Sequence, residues 1–310
     1  MRVIYMGTPD FAVSVLEAII EKGHEVVAVV TQTDKPKGRG KEVQFPPVKE
    51  VAIKHGIKVY QPVRIKNNQE LEEELRALNP DIIVVAAYGQ ILPKSILDMA
   101  KYGCVNVHAS LLPRYRGAAP IHWAIINGET ETGNTTMYMD KGLDTGDMLL
   151  KSHVDITDDM TTEELHDILM LQGGQLLKET VKQIEAGTIK REKQIDEHSC
   201  YASMLTKDTG HIDWNQPAQK IHNLIRGLNS WPGAWSIMND KNFKIWKSRL
   251  SDLSTSGRPG EVVAATKHGL VVAAGEGCLE IIEIQPPGKK KMQAGDFMRG
   301  HGAAIGDVFH

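Results

Sequence analysis

The sequence predicts an α/β fold, a mainly parallel sheet covered on both faces, with a small β-barrel or sandwich behind it. Three observations predict it. Short runs of Ile and Val alternate with segments of helical periodicity through the first half of the chain, which is the pattern of βαβ units. Beyond about residue 207 the pattern changes to brief strand-like runs punctuated by Gly and Pro. The length of 310 residues exceeds the ~250–300 at which single cores stop growing, so two domains are expected.

Val3–Met6 reads as a buried strand, and Gly7-Thr8-Pro9-Asp10 follows as a tight turn with a cap and a proline for the first helical turn. Phe11, Val15, Leu16 and Ile19 recur at helical spacing, and Gly23 closes that helix. Val26–Val30 is the second strand, Pro47–His55 a helix closed by Gly56, and Glu70–Leu78 a helix stopped before Asn79-Pro80. Ile82–Ala87 and Cys104–Val107 complete the apolar strands. Thr136–Asp140 and Met148–Val154 alternate like a hairpin, and a capped helix is expected from about Thr161 to Ala186. Residues 188–206 are polar and lack periodicity, as a linker does. Strand-like runs at Phe243–Trp246, Glu261–Ala264, Gly269–Ala274 and Leu279–Ile284 follow. The expected division is therefore 1–187, a linker at 188–206, and 207–310.

Composition excludes several classes. With 41% hydrophobic and 24% charged residues and no apolar run near the ~20 needed to span a bilayer, a membrane protein is not expected. The chain enters its first strand at once, without a signal or transit pattern, so a cytoplasmic protein is expected. Cys104, Cys200 and Cys278 are too scattered for a disulfide framework or zinc site and read as small buried hydrophobes. The net charge is −3, yet residues 1–200 hold 23 Lys/Arg against 29 Asp/Glu, while 201–310 hold 13 against 10. Trp214, Trp231, Trp235 and Trp246 lie in the most basic stretch; that suits either a nucleic-acid surface or simply a Trp-rich core.

Five segments could carry chemistry. Gly7–Phe11 is a glycine turn without G-x-G-x-x-G spacing, which argues against a nicotinamide dehydrogenase. Asn106-Val107-His108 ends an apolar strand, and two-residue spacing points both polar side chains to one face at the end where α/β ligands bind. An amide that can hold an oxyanion beside an imidazole that can move a proton suits acyl transfer, although a capping Asn and a satisfied His fit the same residues. The Asp140–Asp147 loop holds Asp140, Asp144 and Asp147 between glycines; a carboxylate on it could pair with His108, or the loop could be a polar turn. In Asp34–Glu42, Lys35, Lys37, Arg39 and Lys41 alternate so that an extended segment shows all four to one side, as a phosphate backbone requires. Tyr88-Gly89-Gln90-Ile91-Leu92-Pro93 follows a strand at the ligand rim and could hold a flat heterocycle or simply cross to the next helix.

Together, Asn106, His108, the Ser110-Leu111-Leu112-Pro113 and Arg114–Ile121 runs and the Asp144 loop closely resemble the 10-formyltetrahydrofolate-dependent transformylases. The likeness runs nearly end to end, taking in Met6–Phe11, the basic insertion at 34–42, Arg226-Gly227-Leu228-Asn229 and Trp231-Pro232-Gly233-Ala234; His122 stands where glutamine is expected. The resemblance implies a Rossmann-like N-terminal formyltransferase domain and an OB-like C-terminal barrel. It implies transfer of a formyl group from 10-formyltetrahydrofolate to the α-amine of methionyl-tRNA, the initiator species, by a metal-free monomer. Asn106 would hold the oxyanion, His108 move protons and Asp144 orient His108. Folate would lie against Tyr88, Gly89, Gln90, Ile91 and Leu92, against Ser110, Leu111, Leu112 and Pro113, and along the backbone at Asp140 and Gly142. The tRNA would meet Lys35, Lys37, Arg39 and Lys41 in the first domain. In the second, Lys207, Arg226, Lys244, Lys247 and Lys289–Lys291 are assigned to it on charge alone.

Overall fold

The computed structural model describes residues 1–36, 43–253, 257–300 and 302–310. Lys37, Arg39 and Lys41 of the basic insertion lie outside them. In chain order the elements begin β1 (Arg2–Gly7), α1 (Phe11–Glu21), β2 (Glu25–Val30), β3 (Lys35–Pro36), β4 (Val43–Gln44), α2 (Pro47–Lys54), β5 (Val59–Tyr60), α3 (Gln69–Ala77), β6 (Ile82–Ala86) and α4 (Lys94–Leu97). They continue with β7 (Cys104–His108), β8 (Arg116–Gly117), α5 (Pro120–Ile126), β9 (Glu131–Tyr138), β10 (Met148–Asp155), α6 (Thr162–Glu185) and β11 (Tyr201–Ala202). The last are α7 (Ala218–Gly227), β12 (Ala234–Met238), β13 (Lys241–Ser251), β14 (Val262–Ala265), β15 (Leu270–Ala273), β16 (Cys278–Gln285), β17 (Met292–Gln293) and α8 (Ala294–Arg299).

Two compact units share these elements. The first comprises Met1–Gly117, Thr132–Val154 and His166–Ala202, and the second Ala118–Glu131, Asp155–Leu165 and Ser203–His310.

In the first unit seven strands run in the order β10-β9-β7-β6-β1-β2-β5. The strands from β5 to β7 are mutually parallel, and β9 pairs antiparallel with β7. Ile4, Met6, Ala28, Val30, Ile83 and Val85 put alternate side chains into one core, where Ile65, Leu75 and Ile96 cover them. Each buried Ile, Leu, Val or Met among them contributes about 1.5–3 kcal/mol, so a one-residue slip of any strand would be costly. That register fixes the site: Gly7 lies opposite Ala86 and Val85 opposite Asn106, which leaves the carboxyl ends of β1, β6 and β7 level. The turn after β1 is tight because a Cβ on Gly7 would stand 2.8 Å from the Cβ of Ala12 and 2.9 Å from the carbonyl oxygen of Ala86. Asp10 caps α1 by accepting from the Phe11 amide at 2.9 Å.

In the second unit the antiparallel sheet runs β12-β13-β16-β15-β14, with β17 on β16. Residues 306–310 join its two ends. Gly306 and Val262 exchange hydrogen bonds with the opposite strand at Val262 and Asp307, while Phe309 donates to Gly260 and His310 pairs reciprocally with Ile237 of β12. The sheet thereby closes into a barrel, removing the unpaired edges that an open sheet exposes. Phe309, 1% exposed, fills the interior against Trp214 and Phe243.

Boundaries of the sequence-expected elements shift by a few residues, with β9 starting at Glu131 and β14 ending at Ala265. The sequence reading contained neither α5 nor α7. α5 carries Ile121, Trp123, Ile125 and Ile126, side chains that favour strands in isolation. α7 buries Ala218, Ile221 and Ile225 together with the polar side chains of His222, Asn223 and Arg226. Cys200 is exposed, correcting the expectation of three buried thiols. No described helix is long and apolar enough to cross a membrane.

Phe309→Ala should cost about 3–5 kcal/mol, the loss expected for a fully buried Phe. Urea unfolding followed by tryptophan fluorescence should show it, because Trp214 packs on that ring; a loss below about 1 kcal/mol would contradict the closure assigned to residues 306–310.

Candidate active site

β7 delivers Asn106 and His108 to the level strand ends. Both are buried, at 8% and 7% exposure. β9 covers the other flank, with Met137 opposite Asn106 and Thr135 opposite His108. The carboxamide of Asn106 has no hydrogen-bond partner among the described residues, so its N–H groups remain free to meet a developing negative oxygen.

His108 is held from both sides. Its Nε2 lies 2.9 Å from the carbonyl oxygen of Tyr115, which can only accept, so Nε2 carries a proton. Its Nδ1 faces Asp144 Oδ2 at 3.7 Å, with both side chains about nine-tenths covered. The same Oδ2 accepts from the Gly117 amide at 2.9 Å.

The loops that complete the site are conformationally demanding. Asp144 has φ 53°, Tyr115 φ 58° and Ala87, just past β6, φ 45°. Among the described residues Ala87 and Tyr115 are the positive-φ positions that are neither Gly, Asn nor Asp, and both sit at this rim. Such backbone costs about 1–3 kcal/mol per residue and is held only where surrounding bonds over-determine it. The bonds are present: Ser110 Oγ donates to Arg114 O, Thr135 Oγ1 donates to Ser110 O and accepts from the Leu112 amide, and the Tyr115 amide donates to Cys200 Sγ.

The sequence-expected ligand residues divide by exposure. Tyr88, Leu92 and Leu112 turn their side chains into the cores. Ser110 is fully buried and spends its hydroxyl on the loop. The Tyr88 hydroxyl has no partner among the described residues, and burial pushes its pKa up to about 12, so it stays neutral. The Gln90 side chain accepts from the Ile65 amide and shapes the loop. Gly89 and Ile91 are exposed, Leu111 and Pro113 half-buried, and Asp140 with Gly142 forms an exposed turn in which Asp140 Oδ1 accepts from the Gly142 amide and Thr145 Oγ1.

The basic residues divide too. Lys35, on β3, is exposed. Lys207 and Lys247 are exposed, and Lys244 is half-buried over the Trp246 ring with its Nζ donating to Pro232 O. Arg226 departs from the expectation that it meets tRNA: it is 6% exposed, and its guanidinium donates to Asn223 Oδ1, Thr157 O and Met160 O. Its charge binds the 157–160 loop instead of solvent. Sequence reasoning missed Thr135, Gln194 and the Tyr115 and Gly117 backbone groups; backbone donors carry no side-chain signature, and Gln194 lies in the stretch read as linker.

An amide and an imidazole faced by a carboxylate, at the carboxyl end of β7, can hold an oxyanion and move a proton, the two requirements of acyl transfer. The comparisons with known proteins agree. Residues 1–181 match the formyl transferase family, and residues 204–302 match the formyl transferase C-terminal domain. This chain belongs to the formyltransferase family. This formyltransferase is 53% identical to the methionyl-tRNA formyltransferase of Caldanaerobacter subterraneus subsp. tengcongensis over 308 residues, 99% of each chain. It is 54% identical over 309 residues to that of Agathobacter rectalis, covering 100% of this chain and 99% of the other. Its fold is shared by the N-formyltransferase from Helicobacter canadensis, solved with folinic acid and dTDP-3-aminofucose, at a TM-score of 0.70 and 24% identity over 91% of this chain and 99% of that one.

Arg226→Ala should destabilise the formyltransferase by about 2–4 kcal/mol in urea, since it strands buried carbonyl groups. Lys247→Ala, at an exposed position, should stay within about 0.5 kcal/mol. Equal small effects would show that the Arg226 contacts carry no stability.

Proposed function

We propose that this formyltransferase moves the formyl group of 10-formyltetrahydrofolate to the α-amine of initiator methionyl-tRNA, acting as a cytoplasmic monomer. The observation that carries this reading is the identity of 53–54% along essentially the whole chain to two methionyl-tRNA formyltransferases. A folate-type donor is supported by fold neighbours solved with folinic acid and with tetrahydrofolic acid. The site residues fit such a donor: exposed Gly89 and Ile91, half-buried Leu111 and Pro113, and the Asp140–Gly142 turn give an apolar rim beside exposed loop backbone.

The amine nitrogen of the acceptor attacks the formyl carbon, forming a new C–N bond, and the bond from that carbon to the folate nitrogen breaks. Negative charge gathers on the formyl oxygen, and the Asn106 N–H groups stabilise it more than they stabilise the neutral carbonyl. The attacking amine loses a proton and the leaving folate nitrogen gains one. His108 moves that proton, with Asp144 and the Tyr115 carbonyl fixing the plane of its ring. No metal enters this scheme.

The acceptor end of the tRNA is assigned to the basic insertion, with Lys35, Lys37, Arg39 and Lys41, and the acceptor arm to Lys207, Lys244 and Lys247. Lysines of this kind position phosphate and make binding fall steeply with salt. Arg226 is left out of this set because its guanidinium is spent inside the protein.

The test offers 10-formyltetrahydrofolate with initiator methionyl-tRNA, elongator methionyl-tRNA, free methionine, glycinamide ribonucleotide and an amino-sugar nucleotide in parallel. Formylation of the initiator species alone is expected, and transfer only to a small amine would overturn the acceptor while leaving the chemistry. His108→Ala should lower turnover by about 10²–10⁴-fold and Asn106→Ala by about 10²–10³-fold with tRNA affinity unchanged; either variant within a few-fold of wild type would remove that residue from the mechanism.

A further inference from the structure

The polar stretch 188–202 is not a passive connector in the first unit. Glu192 and Met148 exchange backbone hydrogen bonds of 2.8 and 2.9 Å, and the Arg116 amide donates to Cys200 O at 3.0 Å. Tyr201–Ala202 then pairs in parallel with Arg116–Gly117. The approach is close, because Gly117 has φ +113° and a Cβ there would stand 2.7 Å from Ala202 O.

Between these anchors stands Gln194. Its Nε2 donates to Asp144 O at 2.7 Å and to Gly146 O at 2.8 Å. Its Oε1 accepts from Arg116 Nε at 2.9 Å, and the other branch of that guanidinium donates to Asp196 at 2.8 Å. One side chain therefore grips the backbone of the residue that faces His108. It also grips the side chain of Arg116, whose neighbour Gly117 donates to the Asp144 carboxylate.

The geometry points to Gln194 as a positioning residue for the formyl-transfer step, acting through Asp144 on His108. Asp144 sits in left-handed backbone, which an isolated loop would leave. Two donors from one amide keep its carbonyl and that of Gly146 fixed while Gly117 N–H fixes its carboxylate, so rotation of the Asp144 peptide is blocked from both sides. At 3.7 Å the Asp144 to His108 contact is longer than a hydrogen bond, and a small relaxation decides whether the carboxylate still orients the ring. The polar atoms of its side chain are all engaged within the protein, by Asp144 O, Gly146 O and Arg116 Nε. Its loss should therefore reach turnover without reaching substrate affinity.

This inference rests on the formyl-transfer reading, and the experiment separates the two. Gln194→Glu keeps the acceptor oxygen for Arg116 and removes both N–H donors; Gln194→Ala removes all three bonds. Each is assayed for kcat and KM with initiator methionyl-tRNA, alone and combined with Asp144→Asn. Both single variants should lose about 10–100-fold in kcat with KM for tRNA and folate within about threefold. In the Asp144→Asn background the further loss should shrink to about twofold or less, because the effect travels through that carboxylate. The ¹⁵N ring resonances of His108, followed by NMR in wild type and Gln194→Glu, give a readout that needs no acceptor and should differ between the two proteins. Wild-type kcat in Gln194→Glu, full additivity with Asp144→Asn, or unmoved His108 resonances would each overturn the positioning role. Moved resonances in an enzyme that formylates no methionyl-tRNA would overturn the acceptor assignment alone.

Discussion

The placement of one imidazole organises the first unit. His108 lies between two oxygen atoms, the Tyr115 carbonyl at 2.9 Å from Nε2 and the Asp144 carboxylate at 3.7 Å from Nδ1. Neither oxygen belongs to a regular element; each sits on a loop in left-handed backbone. The sheet supplies only the first coordinate, by carrying His108 to the end of β7 in a register that a one-residue slip would destroy. The remaining coordinates come from bonds such as Thr135 to Ser110 and Leu112, and Gly117 to Asp144. A rigid sheet and strained loops thus divide the work: the sheet buries apolar area to pay for backbone that would not otherwise persist.

That division explains what was legible in the sequence. Val3–Met6, Ile82–Ala86 and Cys104–His108 are dense with Ile and Val, so their burial and parallel pairing follow from composition, and with them the face shared by Asn106 and His108. Asp144 could be named as a partner for His108 only among alternatives, since loop conformation decides whether the carboxylate arrives. Gln194 and Thr135 were not legible. Their function lies in bonds to backbone carbonyls and amides that any sequence would offer, and Gln194 sits in a segment whose polarity reads as solvent exposure. Tyr88, Leu92 and Leu112 stand beside the site, and their side chains fill the core.

Charge was the least reliable guide. The basic balance of residues 201–310 suggested a surface for phosphate, yet Arg226 is 6% exposed and serves as a cap for carbonyls of the 157–160 loop. His222 on the same helix is likewise buried, bonded to Ser248 and to Asp158 O, and burial lowers its pKa. Its folded-state pKa is depressed, so the unfolded chain takes up the proton first, and this group costs stability as pH falls below its ordinary range. A count of Lys and Arg cannot separate such internal uses from solvated ones. Burial can, and it leaves Lys207 and Lys247 exposed, while Lys244 is half-buried with its Nζ donating to Pro232 O.

The catalytic group is general to its chemistry. In the proposed mechanism Asn106, His108 and Asp144 answer requirements that any formyl transfer to an amine imposes: an oxyanion to hold and a proton to move. A neighbour of the same fold, 24% identical, is solved with an amino-sugar nucleotide, so the fold does not choose the acceptor. Discrimination must therefore come from surfaces that contact the rest of the acceptor molecule. A charged tRNA differs from a small amine chiefly in its phosphate backbone, so under the proposed function exposed cations are the residues that would separate the two. Such cations would contribute through binding energy realised far from the formyl carbon, which can be spent on orienting the amine in the transition state. The demands on the two sets then differ: the Asn, His and Asp tolerate sub-ångström error poorly, whereas a lysine on a flexible stem meets a phosphate over a wide range of positions.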